Sequence, residues 1–441
     1  MFLNRKKYTF IGGCYPLPAT PCNGNYKVDI ANMYASGYAA DHAIKLLERI
    51  HGRSRSACIV GGCVRDIIMG KIPHDVDIAT NMTPGELKKL FGETKSNNGE
   101  AHGTVLVPYD GIMYEVTRFR ADGTYSDGRH PDYVEWADTF EEDSRRRDFT
   151  VNAMGIDHKG RLLDYHGGLT DICNKVIRTV GNPVDRFTED PLRIIRAFRF
   201  SAVLGFSIEK ETLDATSALS DHLMSVHAER MHDELNKVID TGNPYAFAEF
   251  ISSIAANVSD KVLKHFFGMT SNELDAVVET IKQASFLDWN HTVAYMFMFH
   301  NVRDTKNVMS ALKCTRNEID PVLRYNHLLD FREKHQNVLD NIVEWVDMVA
   351  GTDAYVLSFY QMRHDGRCPV SLPMYNFLET ADNASQYNTR KCSEYIASLG
   401  KYSGKEFGNA LRRVRKAMYL HQLTRVDDFT DEDARIALEK D

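Results

Sequence analysis

The architecture follows from one segment, Ala57-Cys58-Ile59-Val60-Gly61-Gly62-Cys63-Val64-Arg65-Asp66. Its short apolar run, Cys58 to Val60, predicts a buried strand that breaks at Gly61-Gly62. Glycines at such a break let backbone N–H groups approach a bound anion, and Arg65 adds a fixed positive charge. A helical turn that ends at Gly70 is expected next. The segment therefore predicts a strand, a phosphate-binding turn and a short helix.

Two aspartates separated by one residue, Asp75-Val76-Asp77, follow this segment. In a strand, alternation with period 2 places Asp75 and Asp77 on one face and Val76 and Ile78 on the other. Neighbouring carboxylates repel each other, and Mg²⁺ is a cation that takes oxygen ligands together with substrate phosphates. An Asp-x-Asp pair alone is more often a solvated pair, and Gly-Gly is usually only a turn. Together, with Arg65 between them, they favour phosphoryl or nucleotidyl transfer.

Composition is that of an ordinary globular protein. The 441 residues are 43% hydrophobic and 26% charged, which predicts two to four domains, and no apolar run approaches the ~20 residues of a membrane span. The eight cysteines are scattered and predict reduced thiols of a cytoplasmic protein rather than disulfides or a zinc site. The net charge of −8 disfavours a nucleic-acid partner, but basic clusters at 145–147, 193–199 and 412–416 can carry a phosphate-contacting surface.

Local patterns divide the chain into a mixed part and a helical part. A hairpin is predicted at Thr104–Val107 and Ile112–Phe119, with Asp110-Gly111 as its turn. The polar, glycine-bearing stretch 122–131 predicts a long loop. After Pro191 the apolar residues keep a helical period and strand signals vanish. The fold class predicted is α+β, with a small, mostly antiparallel sheet followed by all-helical domains.

Six segments in order resemble one family, the tRNA nucleotidyltransferases (CCA-adding enzymes) and their relatives, the bacterial poly(A) polymerases. They are Val60–Asp66, Asp75–Thr80, Gly103–Val105 with Tyr114–Thr117, Arg146–Met154, Glu189–Arg193, and Glu229-Arg230 with Glu234-Leu235. The resemblance implies a nucleotidyltransferase head at 29–178, a helical neck at 179–241, a body at 242–330 and a tail at 331–441. An N-terminal arm, 1–28, has no counterpart in the family.

The resemblance also implies roles for single residues. Asp75 and Asp77 are expected to bind one or two Mg²⁺ ions, and Glu115 to act as a third catalytic carboxylate rather than as an ordinary exposed strand residue. Arg147 is expected to contact the nucleotide, and Asp148 to accept a hydrogen bond from a ribose hydroxyl. The full set of nucleotide-binding residues implied is Gly61, Gly62, Arg65, Arg147, Asp148, Asn152, Asp190, Arg193, Arg196 and Arg199.

Asp190 and Arg193 are predicted to face the same way on a helix that starts near Pro191. The plain interpretation is an intrahelical ion pair. The alternative is a reader of bases, because cytosine and adenine both present an amino donor beside a ring-nitrogen acceptor. A carboxylate and a guanidinium would then accept C and A and reject U and G, whose edges leave buried polar groups unpaired.

The C-terminal segment 403–411 resembles the family's tail, which holds the tRNA elbow. A basic helix follows it, and the residues predicted to bind RNA are Lys405, Arg412, Arg413, Arg415 and Lys416. Taken alone, the pattern would favour a charged, exposed helix.

The function expected from the sequence is addition of CCA to tRNA from CTP and ATP, with Mg²⁺ and without a membrane partner. The oligomeric state is not indicated. A poly(A) polymerase of the same family is one alternative, although 99–105 lacks the arginine-rich strand usual there. CC-only or A-only addition is another, and CC-adding forms lack the loop present here at 125–136. An inactive RNA-binding chaperone would have lost the Asp75/Asp77 pair.

Overall fold

The computed structural model describes residues 39–71, 73, 75–92, 103–122, 134–283, 289–334, 342–349, 389–424 and 429–439. The predicted N-terminal arm, the polar loop from residue 123 onward, and 99–102 lie outside these ranges. The chain forms two compact units. The first comprises Met1–Glu234 with Ala256–Val262, and the second comprises Leu235–Ala255 with Leu263–Asp441.

The first unit carries all ten strands of the described residues. In chain order they are β1 (Ala57–Val60), β2 (Asp77–Thr80), β3 (Thr104–Tyr109), β4 (Ile112–Arg118), β5 (Arg120–Asp122), β6 (Val134–Trp136), β7 (Gly155–Asp157), β8 (Leu162–Leu163), β9 (Val176–Ile177) and β10 (Ser207–Ile208). Six of them form one sheet in the order β3-β4-β2-β1-β7-β8. Only β2 and β4 pair in parallel, and the other four pairings are antiparallel, as predicted.

Helices cover and follow this sheet. Up to the end of the neck they are α1 (Ala39–His51), α2 (Gly62–Ile68), α3 (Pro84–Phe91), α4 (Phe140–Arg145), α5 (Gly168–Asn174), α6 (Pro183–Glu189), α7 (Leu192–Leu204), α8 (Lys210–Ala218) and α9 (Ala228–Ile239). The remaining helices are α10 (Pro244–Asn257), α11 (Asp260–Phe267), α12 (Ser271–Gln283), α13 (His291–Phe299), α14 (Thr305–Ala311), α15 (Arg316–Lys334), α16 (Ile342–Val349), α17 (Thr389–Ser398), α18 (Gly404–Thr424) and α19 (Asp431–Glu439). Of these described helices, none combines the length and the apolar character needed to cross a membrane.

Local chemistry explains the elements around the predicted site. Both α3 and α4 begin with a capping box, in which Thr83 pairs with Glu86 and Thr139 with Glu142, so that free N–H groups of the first turn are satisfied. The β3–β4 hairpin has the predicted two-residue turn, whose Asp110 and Gly111 both have positive φ angles of 50° and 79°. Such angles belong to the hairpin turn whose twist matches that of the strands.

Two local predictions need correction. Strand β2 begins at Asp77, so Asp75 lies just before it rather than within it. The neck is not all-helical, because β10 pairs in parallel with β9 through Ser207 and Ile208. A two-residue strand is too short to show alternation, which is why the sequence pattern missed it.

A core of small and aromatic residues lies under the carboxylate-bearing side of the sheet. Its buried members are Cys58, Val60, Ala79, Phe119, Ala137 and Phe140. The five described cysteines that are free thiols, four of them buried, agree with the prediction that disulfides do not hold the fold.

We expect Gly168→Ala to destabilise the first unit by about 1–3 kcal/mol. A Cβ there would lie 2.3 Å from the carbonyl oxygen of Thr150 and 2.9 Å from Cγ of Met154, so backbone must move. The control is Gly85→Ala in α3, where a Cβ meets no heavy atom within 4 Å and stability should change little. Urea unfolding followed by circular dichroism measures both; equal midpoints for the two variants would contradict this packing.

Candidate active site

Three carboxylates converge at one edge of β2 and β4. Asp75 and Asp77 are exposed, whereas Val76 between them and Ile78 after them are buried. On β4, Glu115 is exposed between two buried neighbours. The parallel register pairs Ile78 with Val116, so Asp77 and Glu115 each precede a paired residue on adjacent strands. Their side chains therefore point to the same face of the sheet. Alternation predicted a shared face only for Asp75 and Asp77, and the place of Glu115 beside them was an implication of the resemblance.

Mutual repulsion marks this cluster electrostatically. Burial and then the charge of Asp75 raise the pKa of Asp77, while Arg147 opposes the rise. Burial, followed by the charges of Asp77 and Asp75, likewise raises the pKa of Glu115. The nearby Cys63 thiol has a pKa raised to about 12, by burial first and Asp77 next. Three oxygen-donor groups that destabilise one another form a donor set suited to a hard divalent cation.

The glycine turn sits beside this cluster. Gly61 has φ 80° and ψ −146°, a backbone conformation that residues with a side chain rarely adopt. Helix α2 begins at the next residue. A Cβ at Gly61 would lie 3.5 Å from Nη1 of Arg147. The N–H of Gly61 donates to the carbonyl of Met154 at 3.3 Å, so Gly61 supplies its conformation rather than its N–H group.

Arg147 joins the turn to the carboxylates. Its Nη2 donates to Asp143 at 2.9 Å, and the side chain is only 16% exposed. Its Nε is buried and, among the described residues, has no hydrogen-bond partner. A buried guanidinium donor without a partner is costly, and an anionic ligand oxygen would satisfy it.

Arg65 is held inside the protein rather than extended over the turn. Its Nη1 donates to the side-chain oxygen of Asn152 at 2.7 Å, and its Nε and Nη2 donate to Asp66 at 2.9 and 2.7 Å. Asn152 in turn donates to Asp148 at 3.3 Å. The predicted site residues Arg65, Asn152 and Asp148 therefore form one hydrogen-bonded chain.

Asp148 and Arg196 form a buried ion pair. Nε and Nη2 of Arg196 donate to one oxygen of Asp148 at 2.9 and 2.5 Å. Burial alone raises the pKa of Asp148, but Arg196 outweighs it and holds that pKa at about 2. Arg199 donates through Nε to buried Glu234 at 2.5 Å and lies 3.9 Å from the ring centroid of Phe200. Both predicted arginines are thus fixed by acids.

Asp190 and Arg193 do not share a helix as predicted. Asp190 has an extended backbone at the end of α6, because a residue before proline avoids the helical region. Helix α7 starts only at Leu192. Asp190 accepts from Arg230 at 3.1 and 2.7 Å. Arg193 donates through Nη1 to Glu189 at 2.8 Å. The plain interpretation, an ion pair between the two, is therefore wrong.

Sequence reasoning gave no role to the acids and the arginine that hold this site. Asp143 and Glu234 are buried partners of Arg147 and Arg199, and Arg230 is the partner of Asp190. Asp143 precedes Arg147 by four residues, a spacing that could have indicated the pair. Arg230 and Glu234 stood in a recognised motif, but no sequence pattern assigns a partner 40 residues away.

The predicted RNA-binding residues all lie on α18. Arg412 pairs with Glu344, and Arg415 donates through Nη1 to Asp347 at 3.0 Å. Both acids belong to α16. Arg412 and Arg415 are therefore engaged by acids within the second unit, while Lys405 is exposed.

A mostly antiparallel sheet with a glycine turn, two carboxylates on neighbouring strands and a third just before one of them defines a nucleotidyltransferase head. Comparison with family models agrees. Residues 57–178 match the Poly A polymerase head domain, and residues 205–251 match the probable RNA and SrmB-binding site of polymerase A.

Several individual relatives within this family are CCA-adding enzymes. The chain is 45% identical over 202 residues to a CCA-adding enzyme of Ligilactobacillus salivarius, covering 46% of this chain and 50% of the relative. It is 36% identical over 274 residues to one of Streptococcus pyogenes serotype M2, covering 62% and 66%. The Bacillus stearothermophilus CCA-adding enzyme, solved in complex with CTP, is similar in structure with a TM-score of 0.67 and 25% identity, covering 91% and 97%. The sequence matches thus span about half to two thirds of these relatives. The chain belongs to the family of poly(A) polymerases and CCA-adding tRNA nucleotidyltransferases.

We expect Asp77→Asn to raise the thermal midpoint of metal-free protein by about 1–3 °C at about pH 7 and not at about pH 3. The pKa of Asp77 is raised from 3.8, so the folded state binds the proton more tightly than the unfolded state. The penalty of the ionised group is therefore absent below the unfolded value and complete above the folded one. Thermal unfolding in a chelator measures it, with exposed Asp138→Asn as the control. A thermal midpoint of Asp77→Asn below that of the unchanged protein at pH 7 would contradict the prediction that the ionised Asp77 destabilises the folded state.

Proposed function

We propose that this chain adds C, C and A to the 3′ end of tRNA, using CTP and ATP and releasing pyrophosphate. The observation that carries the proposal is the cluster of Asp75, Asp77 and Glu115 on a head that matches the family model. The names of the relatives, and the CTP complex of the Bacillus stearothermophilus protein, support this activity over others in the family.

Asp75 and Asp77 are proposed to hold a divalent metal, and Mg²⁺ is the ion that fits best. The donor set consists of carboxylate oxygens, and burial and the charge of Asp75 raise the pKa of Asp77 although Arg147 opposes the rise. Bound there, such an ion would neutralise charge on the phosphates of the nucleotide and on the leaving pyrophosphate.

The chain's own residues would position the reactants. The 3′-hydroxyl oxygen of the tRNA attacks the α-phosphorus, the bond to the pyrophosphate oxygen breaks, and the hydroxyl proton must leave. Glu115 would accept that proton, and its raised pKa would make it a better base than an ordinary glutamate. Arg147 would donate its buried Nε to a phosphate oxygen. Positioning and charge neutralisation would supply most of the rate enhancement.

Arg65 is proposed to act at the edge of the phosphate site, beside Gly62. Because its three nitrogens already donate to Asp66 and Asn152, its contribution would be a fixed positive charge rather than a flexible contact. Asp148 is proposed to accept from a ribose hydroxyl. Its low pKa of about 2 keeps the group an acceptor throughout the neutral range.

Base selection is proposed to rest on Asp190 and Arg193. A carboxylate that accepts from the exocyclic amine and a guanidinium that donates to the ring nitrogen match cytosine and adenine together. Arg193 donates three hydrogen bonds, all from its Nη1 and Nη2 atoms, so further donor capacity remains on the guanidinium.

The larger organisation is part of the same proposal. We assign the head to 29–178, the neck to 179–241, the body to 242–330 and the tRNA-binding tail to 331–441. Lys405, Arg412, Arg413, Arg415 and Lys416 would contact tRNA phosphates. Arg412 and Arg415 would first have to release or share Glu344 and Asp347. A reducing, cytoplasmic location is proposed from the free thiols.

The deciding experiment incubates the protein and Mg²⁺ with a tRNA transcript that lacks its 3′ end and with labelled nucleotides, singly and in pairs. We expect CTP and ATP together to extend the tRNA by three nucleotides and then stop. Asp75→Ala and Asp77→Ala should each lower incorporation of both nucleotides by about 10³-fold or more, because every addition shares the same charge neutralisation. Asp138→Asn is the control.

Other reaction products would assign a different activity to the protein. A long oligo(A) ladder with ATP alone on unrelated RNA identifies a poly(A) polymerase, and extension by CC or by A only identifies a partial activity. Activity of either alanine variant within tenfold of the unchanged protein would refute the metal assignment.

Substitution of Asp190 tests base selection. Asp190→Ala should lose about 1–3 kcal/mol of discrimination between CTP and UTP. Asp190→Asn should use UTP better still, because an amide can donate to the uracil carbonyl. The measurement is the ratio of kcat/KM for CTP to that for UTP, with exposed Asp185→Asn on α6 as the control. An unchanged ratio in folded, active variants would show that the bases are read elsewhere.

A further inference from the structure

Arg230 binds the carboxylate of Asp190 through two hydrogen bonds, one from each terminal nitrogen of its guanidinium group. Nη1 donates to Oδ1 at 3.1 Å and Nη2 donates to Oδ2 at 2.7 Å. The two side chains are 23% and 16% exposed, so the pair is largely shielded from solvent. Arg230 lies in the first turn of α9, whereas Asp190 ends α6. The contact therefore ties together two elements separated by 40 residues.

A two-point contact of this kind fixes the plane of a carboxylate as well as its place. An aspartate side chain rotates readily about its last torsion, because that torsion has a broad energy profile. Asp190 lies in an extended joint between two helices, and the only bond that its carboxylate accepts from these two described helices is the single one from the backbone N–H of Leu192. Parallel N–H···O bonds from a rigid guanidinium impose one orientation, which a single ammonium group cannot do.

The remaining bonds single out one oxygen of Asp190. Oδ1 accepts from Arg230 and also from the backbone N–H of Leu192 at 3.2 Å. Oδ2 accepts from Arg230 alone among the described residues. Since each carboxylate oxygen has two lone-pair sites, Oδ2 keeps one for a further donor. A base amine arriving at Asp190 would meet Oδ2 in a direction that Arg230 sets.

Arg193 is held in a comparable way from its own side. Its Nη1 donates to Glu189 at 2.8 Å, and its Nη2 donates to the carbonyl of Arg146 at 2.9 Å. The spacing between the acceptor of Asp190 and the donor of Arg193 is thus determined by partners outside the pair. A fixed spacing is what a base edge with adjacent donor and acceptor requires.

We propose that Arg230 is a specificity-determining positioning residue, which orients Asp190 so that its Oδ2 accepts from the amine of cytosine or adenine. This inference rests on the proposed function of Asp190. Arg230 touches neither base nor phosphate in this scheme, and it acts only through the carboxylate that it holds. Removing it frees the carboxylate to turn, and discrimination against uracil falls more than the rate with the correct base.

The test compares Arg230→Met and Arg230→Lys with the unchanged protein on tRNA lacking its 3′ end. For Arg230→Met we expect the ratio of kcat/KM for CTP to that for UTP to fall about tenfold, which corresponds to roughly 1.4 kcal/mol. Arg230→Lys should lie between, because an ammonium holds one oxygen but not the plane. The matched control is Arg178→Met, which breaks ion pairs with Asp171 and Glu209 elsewhere in the same unit and should leave the ratio unchanged.

A double-variant cycle separates positioning from general stability. If Arg230 acts through Asp190, Arg230→Met in an Asp190→Ala background should cause no further loss of the ratio. An unchanged ratio in either folded Arg230 variant, or a further loss in the double variant equal to that of Arg230→Met alone, overturns the proposal. Failure of the unchanged protein to add CCA would instead refute the proposed function. If Arg230→Met does not fold by circular dichroism, Arg230→Lys alone decides.

Discussion

The candidate active site is defined by one unfavourable interaction, the electrostatic repulsion among the carboxylates of Asp75, Asp77 and Glu115. The parallel pairing of β2 with β4 holds these carboxylates together, although burial and their own charges raise the pKa of Asp77 and of Glu115. Folding therefore retains a cost that a bound cation would remove. The single parallel pairing in an otherwise antiparallel sheet is what brings the third carboxylate beside the other two.

Around this cluster, the side chains of three arginines form ion pairs with acidic residues of the protein itself. Asp143 holds Arg147, Asp148 holds Arg196, and Glu234 holds Arg199. Removing one member of such a buried pair would leave an uncompensated charge, which is far more costly than the pair itself is stabilising. A nucleotide would thus meet side chains whose positions are already set, and little conformational entropy would remain to be lost on binding.

The basic helix α18 shows a different use of charge. Its arginines Arg412 and Arg415 pair with acids on α16, so the second unit neutralises part of its own cationic surface. The pair of Arg412 with Glu344 is the more exposed on its arginine side, and exposed pairs contribute little to stability. A surface for phosphates is compatible with such pairs, and the net charge of −8 does not oppose it, because local charge decides.

Sequence alone determined the strand β1, the turn at Gly61, the β3–β4 hairpin and the alternation that exposes Glu115 between buried neighbours. These features follow from alternation, turn chemistry and apolar periodicity, which act between near neighbours in the chain. Tertiary structure alone decided that β2 and β4 pair in parallel, which brings Asp77 and Glu115 to one face, and that Arg230 is the partner of Asp190. Partners so far apart in the chain are chosen by packing, and no local pattern records that choice.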